Sequence, residues 1–446
     1  MTDSPDSRSS ILVWGIWAVT LASLLAFIVH DGRNIPFEED WLMVGPMTGH
    51  EPDLAGWLWS QNSEHRLPLP RLVNLTLLRA TGDFRATMLF DALILGAVTA
   101  GMILLARRLR GGRTRLEDAF FPLLLLQLGN WDNLVWAWQI QYVLPTVLSC
   151  VILLSIVGWS PTLGGGRTLI GALALVCLPL SGANGLIVTP PLAAWFAYQA
   201  WVRGGDLPAA RRWLPALAAV VSLALIGAYF IGFDSSPWNA PSPGPGATLA
   251  TVGKFIALGL GPLAAYSWLL FGVLAAGALI SAGAVLLSAL RRRDEDRIRI
   301  LGLLAFLTAS LVLAALIGWG RAGRAVETGR MPTRYVLLAA PGLCAAYFAL
   351  LLHGTRRWRR VGPAALAVLV ALAFPLNTYV GLERRTWFGE GFASFERDQA
   401  AGASAESLAR RHYEFMLHWD EQLMVEGLRQ LHESEIGPFA SWEPDP

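Results

Sequence analysis

The sequence is short of charge, and above all of lysine. Charged residues make up 15% of its 446 residues, and Lys254 is the only lysine among 35 basic side chains. A soluble domain carries about 25% charged residues. That deficit, with 54% hydrophobic residues and a mean hydropathy of +0.46, excludes an ordinary soluble globule. Cysteine is scarce too: Cys150, Cys177 and Cys344 all fall inside apolar runs, where a thiol packs as a small hydrophobe and says nothing about disulfides. No G-x-x-x-x-G-K-[ST] phosphate loop occurs, which argues against an ATP-driven pump. Acidic residues are missing from the middle of most apolar runs, Asp91 being the main exception, and an ion-coupled transporter would need them there.

What the chain does have is length in its apolar runs. Several reach the roughly 20 residues needed to span a bilayer, so the expected fold class is all-α, a polytopic integral membrane protein. Many of the 19 tryptophans fall near the ends of these runs, where indole anchors the interface. The first run, 11–29, is followed by no small-residue cleavage site and reads as a retained spanning helix.

Arginine placement sets the expected topology, because positive charge in short loops marks the cytoplasmic side. Four loops qualify: Arg107, Arg108, Arg110, Arg113 and Arg115; Arg203, Arg211 and Arg212; Arg291, Arg292, Arg293, Arg297 and Arg299; and Arg356, Arg357, Arg359 and Arg360. With those inside, about eleven spans fall near 11–29, 86–106, 116–129, 142–158, 168–181, 186–202, 213–232, 267–290, 300–318, 335–352 and 362–381. Stretch 250–264 is assigned to an outer interfacial or re-entrant segment. The N-terminus is then cytoplasmic and the C-terminus outside, giving a transmembrane domain over 1–381 and an outer helical tail over 382–446. The first outer loop, 30–85, is too long for a mere connection. Its parts within 52–82 look like short amphipathic helices lying on the membrane surface.

The candidate chemistry lies on the outer side. "NIPFEEDWLMVGPM", 34–47, places Glu38, Glu39 and Asp40 directly after the first span, and Asp132 follows in the next outer loop, "GNWDNLVWAWQIQY". Carboxylates at such an interface can accept a proton from an acceptor hydroxyl; equally, acids there are ordinary hydrated loop residues. "GWGRAGRAVETGRMPTRY", 318–335, sets Arg321, Arg324, Arg330 and Arg334 outside, against the positive-inside rule. Guanidinium suits bidentate phosphate binding, although the same arginines could snorkel to headgroups. In "SEHRLPLPRL", Glu64, His65 and Arg66 precede two prolines. Glu64 and His65 with His50 could contribute to a divalent metal site, but adjacent residues rarely share one metal, and hydrogen bonding of His65 and Arg66 to sugar or phosphate fits better. Gln139 and Gln141, in an aromatic stretch, could bond a sugar.

Together these residues resemble the polytopic C-type glycosyltransferases, the GT-C superfamily, which use polyprenyl-phosphate-linked sugar donors outside the membrane. The resemblance rests on the paired acids before Trp41, the interfacial helices within 52–82 and the second acid Asp132. A group of bacterial members is similar through "NSEHRLPLPRL", "WAWQIQ", "GRAGRAVETGRMPTRY" and "RDQAAGASAESLARRHY". It implies Glu39 and Asp40 as the acidic pair, one of them the catalytic base, Asp132 as an assisting acid, and Arg334 with its neighbours on the donor phosphate. The implied location is a bacterial plasma membrane. The implied partners are a polyprenyl-phosphate-linked sugar, membrane lipids and a glycan, lipid or protein acceptor, with no nucleic acid and no certain cofactor beyond the divalent metal considered above. Two other classes fit the same arginines: a transporter of lipid-linked sugars or lipids, and a non-catalytic assembly protein docking through the outer loop and tail.

Overall fold

The computed structural model describes residues 5–159, 166–202, 209–235, 240–292 and 296–444. Arg203 and Arg293 lie outside the described residues, as do the side chains of Arg211 and Arg212. The protein is helical throughout, and the only strands among the described residues are the two-residue pair Gln61–Asn62 and His65–Arg66. Seven helices among the described residues are long and apolar enough to cross a membrane: Ser7–Asp31, Arg85–Leu109, Ala137–Val157, Trp268–Arg291, Arg297–Glu327, Thr333–His353 and Trp358–Ala400. Thr168–Cys177, Trp213–Tyr229 and Pro245–Leu258 are shorter apolar helices. This is a multi-pass arrangement, and burial sorts its members. The Val336–His353 helix buries nearly every side chain, whereas Trp268–Arg291 exposes Leu269, Leu270, Val273, Ile280 and Leu287, a stripe suited to lipid.

Two apolar stretches are not continuous helices. The span expected at 116–129 is instead a turn at Leu116–Ala119, a six-residue helix Phe120–Leu125 and a second turn at Leu128–Asn133. The reason is local: buried amide side chains compete for the backbone. Gln127 Nε2 donates to Leu124 O at 2.9 Å and Asn130 Nδ2 to Leu125 O at 3.1 Å. Irregular backbone survives at membrane depth only where protein replaces the lost bonds, and these amides do that. The second break follows the helix Pro245–Leu258 and falls within 250–264, the stretch expected to be interfacial or re-entrant. The chain turns through Gly261 at φ +114 before Trp268–Arg291 begins. Asn377 stitches that turn, donating Nδ2 to Leu260 O and accepting from Leu263 N–H, both at 2.9 Å. A Cβ at Gly261 would fall 2.1 Å from the Asn377 amide, so glycine is required there for space as well as for φ. The two breaks meet: a Cβ on Gly129 would lie 2.9 Å from both Pro262 and Asn377 O.

Polar contacts divide the bundle into two ends. At one, Arg110 and Tyr347 both hydrogen-bond Asp118, and Arg299 reaches Asp296 and Trp159 O. The arginine-rich loops near 107–115 and 296–299 therefore gather there. At the other end sit the first long loop, the turn at 128–139 and the tail. The expected surface helices in the long loop appear as Leu54–Trp59 and Pro68–Thr81. The tail folds as Ala405–Met416 and Glu421–Glu433, with Gly427 close under the Trp41 ring. One 43-residue helix, Trp358–Ala400, runs through the expected boundary at 381/382.

Replacing Asn377 with leucine leaves a buried carbonyl and a buried N–H unpaired, at about 1–3 kcal/mol each. The Asn377→Leu protein should unfold in detergent at a stability lower by about 2–6 kcal/mol; an unchanged denaturation midpoint would show that the stitch is dispensable.

Candidate functional site

The long loop enters the site on an aromatic nest. Phe37 packs edge-on against Trp136 and Phe388, at ring-centroid distances of 5.4 and 5.2 Å, and also touches Phe392 and Phe415. Glu38 follows at φ +52 and starts the 3-10 helix Glu38–Met43, with three residues per turn. The three acids then part company.

Asp40 turns inward. It is 0% exposed, and Trp138 N–H donates to its Oδ1 at 2.8 Å while Phe37 N–H donates to Oδ2 at 3.4 Å. Burial drives its carboxyl well above the usual range, against the pull of those N–H groups. The geometry makes Asp40 a staple between the loop and the turn Ala137–Gln139, rather than a group facing solvent or ligand. Glu38 and Glu39 stay half-buried. Glu38 Oε2 lies 2.8 Å from His418 Nδ1 of the tail. Burial lifts the Glu38 carboxyl to about 7, with Arg334 opposing and Asp132 reinforcing the rise. Glu39 is raised by burial as well, again against Arg334, and its buried Oε2 has no hydrogen-bond partner.

Arg334 is common to all of this. Its charge acts on Glu38, Glu39, Asp132 and His65. The guanidinium stands 5.8 Å over the Trp136 ring, and Asn133 Nδ2 holds its backbone carbonyl at 3.2 Å. Its buried Nε is unpaired. Asp132 accepts from Thr333 Oγ1 at 3.2 Å, and burial raises its carboxyl while Arg334 lowers it.

Beside this cluster lies a cavity of about 290 Å³. Asp132 and five arginines line it: Arg321, Arg324, Arg330 and Arg334, all marked by the sequence, and Arg384, which was not. Arg330 stands 6.0 Å over the Tyr266 ring. The signal for Arg384 was available in "GLERRTW", an arginine pair just beyond the last apolar run and on the expected outer side. His418 had no comparable signal; it sits at φ +48 in the break between the tail helices.

The remaining expected residues divide. Glu64 pairs with Arg321. His65 Nδ1 accepts from Ala183 N–H at 3.2 Å, and its Nε2 lies 3.6 Å from Glu64 Oε1. Burial holds this imidazole down at about 4, with Glu64 opposing, so it is neutral at ordinary pH. Arg66 does not fit a substrate role, because its guanidinium donors go to Tyr229 O, Trp59 O, Ile231 O and Gly232 O, closing the helix end beneath them. Gln139 is fully buried with both amide atoms unpaired. Lys254 caps a turn through Ala325 O and Gly329 O rather than entering the cavity. His50 is taken up by Thr48 Oγ1 at 2.8 Å and Glu433 at 3.7 Å. Among the described residues no group of three or more His, Cys, Asp or Glu is placed to hold a metal ion.

Comparison of the chain with known protein families finds no matching family model, and a search of curated proteins finds no match.

The raised Glu38 carboxyl makes folding itself pH-dependent. The folded state binds this proton more tightly than the unfolded chain does, so its stabilising contribution is complete below the ordinary carboxylate range. It is lost as pH climbs through about 7. The stability of the parent protein relative to Glu38→Gln should therefore fall between pH 5 and pH 8, read as the difference in unfolding midpoints; a flat difference would mean that Glu38 titrates normally.

Proposed function

We propose that this chain is a membrane glycosyltransferase that moves a sugar from a polyprenyl-phosphate-linked donor to an envelope acceptor, with inversion. In this reading it crosses a bacterial plasma membrane about eleven times, counting the broken segment 116–129 as one crossing. The N-terminus is cytoplasmic, and the cavity end and tail are periplasmic. The observation that carries the reading is the cavity itself: five arginines line it together, beside carboxyls delivered by separate loops.

The division of labour follows from the geometry. The acceptor oxygen attacks the anomeric carbon, and its proton passes to a carboxylate as the bond to the lipid phosphate breaks. Glu38 suits that task, because a base works best when its carboxyl titrates near the working pH and Glu38 sits at about 7. Glu39, with its unpaired buried oxygen, orients the acceptor or Arg334. Asp40 holds the loop. Arg334 and the other cavity arginines stabilise the charge that develops on the departing phosphate. Transport is the weaker reading: within the bundle, the cavities beside Ser149 and beside Leu343 hold only about 20 Å³ each, room for a single water.

The test is mass spectrometry of lipids retained by the purified protein, beside Glu38→Gln and the exposed-rim variant Arg384→Gln. Polyprenyl phosphate, bare or sugar-loaded, should be retained by wild type and by Glu38→Gln and depleted several-fold in Arg384→Gln. Transfer by Glu38→Gln should drop by about 10²–10⁴-fold, the usual weight of a general base. Ordinary phospholipids alone in all three samples would refute the reading and favour an assembly role.

A further inference from the structure

We propose that the arginine cavity is built for a diphosphate rather than for a single phosphate ester. The inference rests on the reading of this cavity as the donor site, and it concerns how much negative charge the ligand must bring.

The charges on the cavity wall do not balance. Arg321 is answered by Glu64, and Arg334 by Asp132, whose field it shares. Arg324, Arg330 and Arg384 are exposed, line the same cavity and make no ion pair with a carboxylate among the described residues. Five guanidiniums less two carboxylates leave three positive charges facing one space. Glu38 and Glu39 belong to the neighbouring loop and do not line this cavity. Like charges held this close repel, and a sugar–phosphate–lipid diester would return only one negative charge. A diphosphate in the same linkage brings two, and the leaving diphosphate brings more.

Geometry points the same way. Each guanidinium presents a planar fork that matches two phosphate oxygens, and a single phosphate diester has two unbridged oxygens to offer. A diphosphate diester has four, spread over two tetrahedra. The arginines come from separate elements: the end of Arg297–Glu327, the loop at 330–334, and the Trp358–Ala400 helix. The cavity of about 290 Å³ has room for both phosphates. Arg334 adds an unpaired buried Nε beside it.

Diphosphates occur in lipid-linked sugars and in soluble nucleotide sugars, so the experiment carries both. The full chain in detergent is titrated calorimetrically with inorganic phosphate and with inorganic pyrophosphate, then with geranyl diphosphate and uridine diphosphate, without divalent metal. Pyrophosphate should bind at least tenfold tighter than phosphate. The double variant Arg330→Gln/Arg384→Gln should lose that preference while keeping its unfolding midpoint, since both side chains are exposed. Equal affinity for the two anions, or a preference that survives in the double variant, would overturn the proposal. Geranyl diphosphate binding tighter than uridine diphosphate supports a lipid-linked diphosphate. The reverse order keeps the diphosphate but removes the lipid-linked donor, and polyprenyl monophosphate co-purifying without a pyrophosphate preference does the opposite.

Discussion

A half-buried cation, Arg334, organises this end of the molecule. Taking the Arg334 guanidinium out of water costs several kcal/mol unless opposite charges and hydrogen bonds replace the solvent, and no single neighbour can do that. The protein answers with carboxyls from different parts of the chain: Glu38 and Glu39 from the first long loop and Asp132 from the turn between the broken segment and Ala137–Val157. Each acid is itself lifted by burial and lowered by Arg334, so acids and cation hold one another in place. Remove the arginine and several half-buried carboxyls face each other with nothing between them. The loops are therefore coupled through one charge, and the tail joins through His418 on Glu38.

The broken segments give that charge its floor. Were 116–133 a regular helix, Asp132 would project from a helix end into solvent or lipid. Because Gln127 and Asn130 end the helix early by bonding its last carbonyls, the chain has time to turn and to set Asp132 against Thr333. The second break brings Ala265 and Tyr266 into the cavity wall, and Asn377 locks it to the long helix that also carries Arg384. Small residues at the meeting point, Gly129 and Gly261, are what allow the two irregular backbones to approach.

Much of this could be read from the sequence, and the failures have physical causes. Apolar runs announced the spanning helices, because hydrophobic length is a one-dimensional property. The arginines of 318–335 pointed to the cavity, because four of them crowd one short stretch beside an apolar run. The break inside 116–129 was hidden, since Leu and Phe dominate it and the two amides that decide its path, Gln127 and Asn130, sit at or just beyond its end. Arg66 illustrates the opposite error. It looks like a ligand-binding cation beside Glu64 and His65, yet carbonyls at 229–232, far away in sequence, take its donors. Pairing across more than 160 residues is invisible to local pattern. His418 was missed for the same reason.

The three consecutive acids show why local pattern misassigns a role even when it finds the right motif. In a helix of three residues per turn, neighbours point about 120° apart, so Glu38, Glu39 and Asp40 cannot face one site together. One direction leads to the tail and its histidine, one toward Arg334, and one back into the loop. Which acid takes which direction is set by the aromatic nest that fixes Phe37, not by the acids themselves. The most buried of them, Asp40, looks the most special by its surroundings, but two backbone N–H groups already occupy its oxygens and its work is to hold the turn. The carboxyl best placed to exchange a proton is Glu38, where burial is incomplete, a cation and an acid pull in opposite senses, and one edge still meets the exposed imidazole of His418.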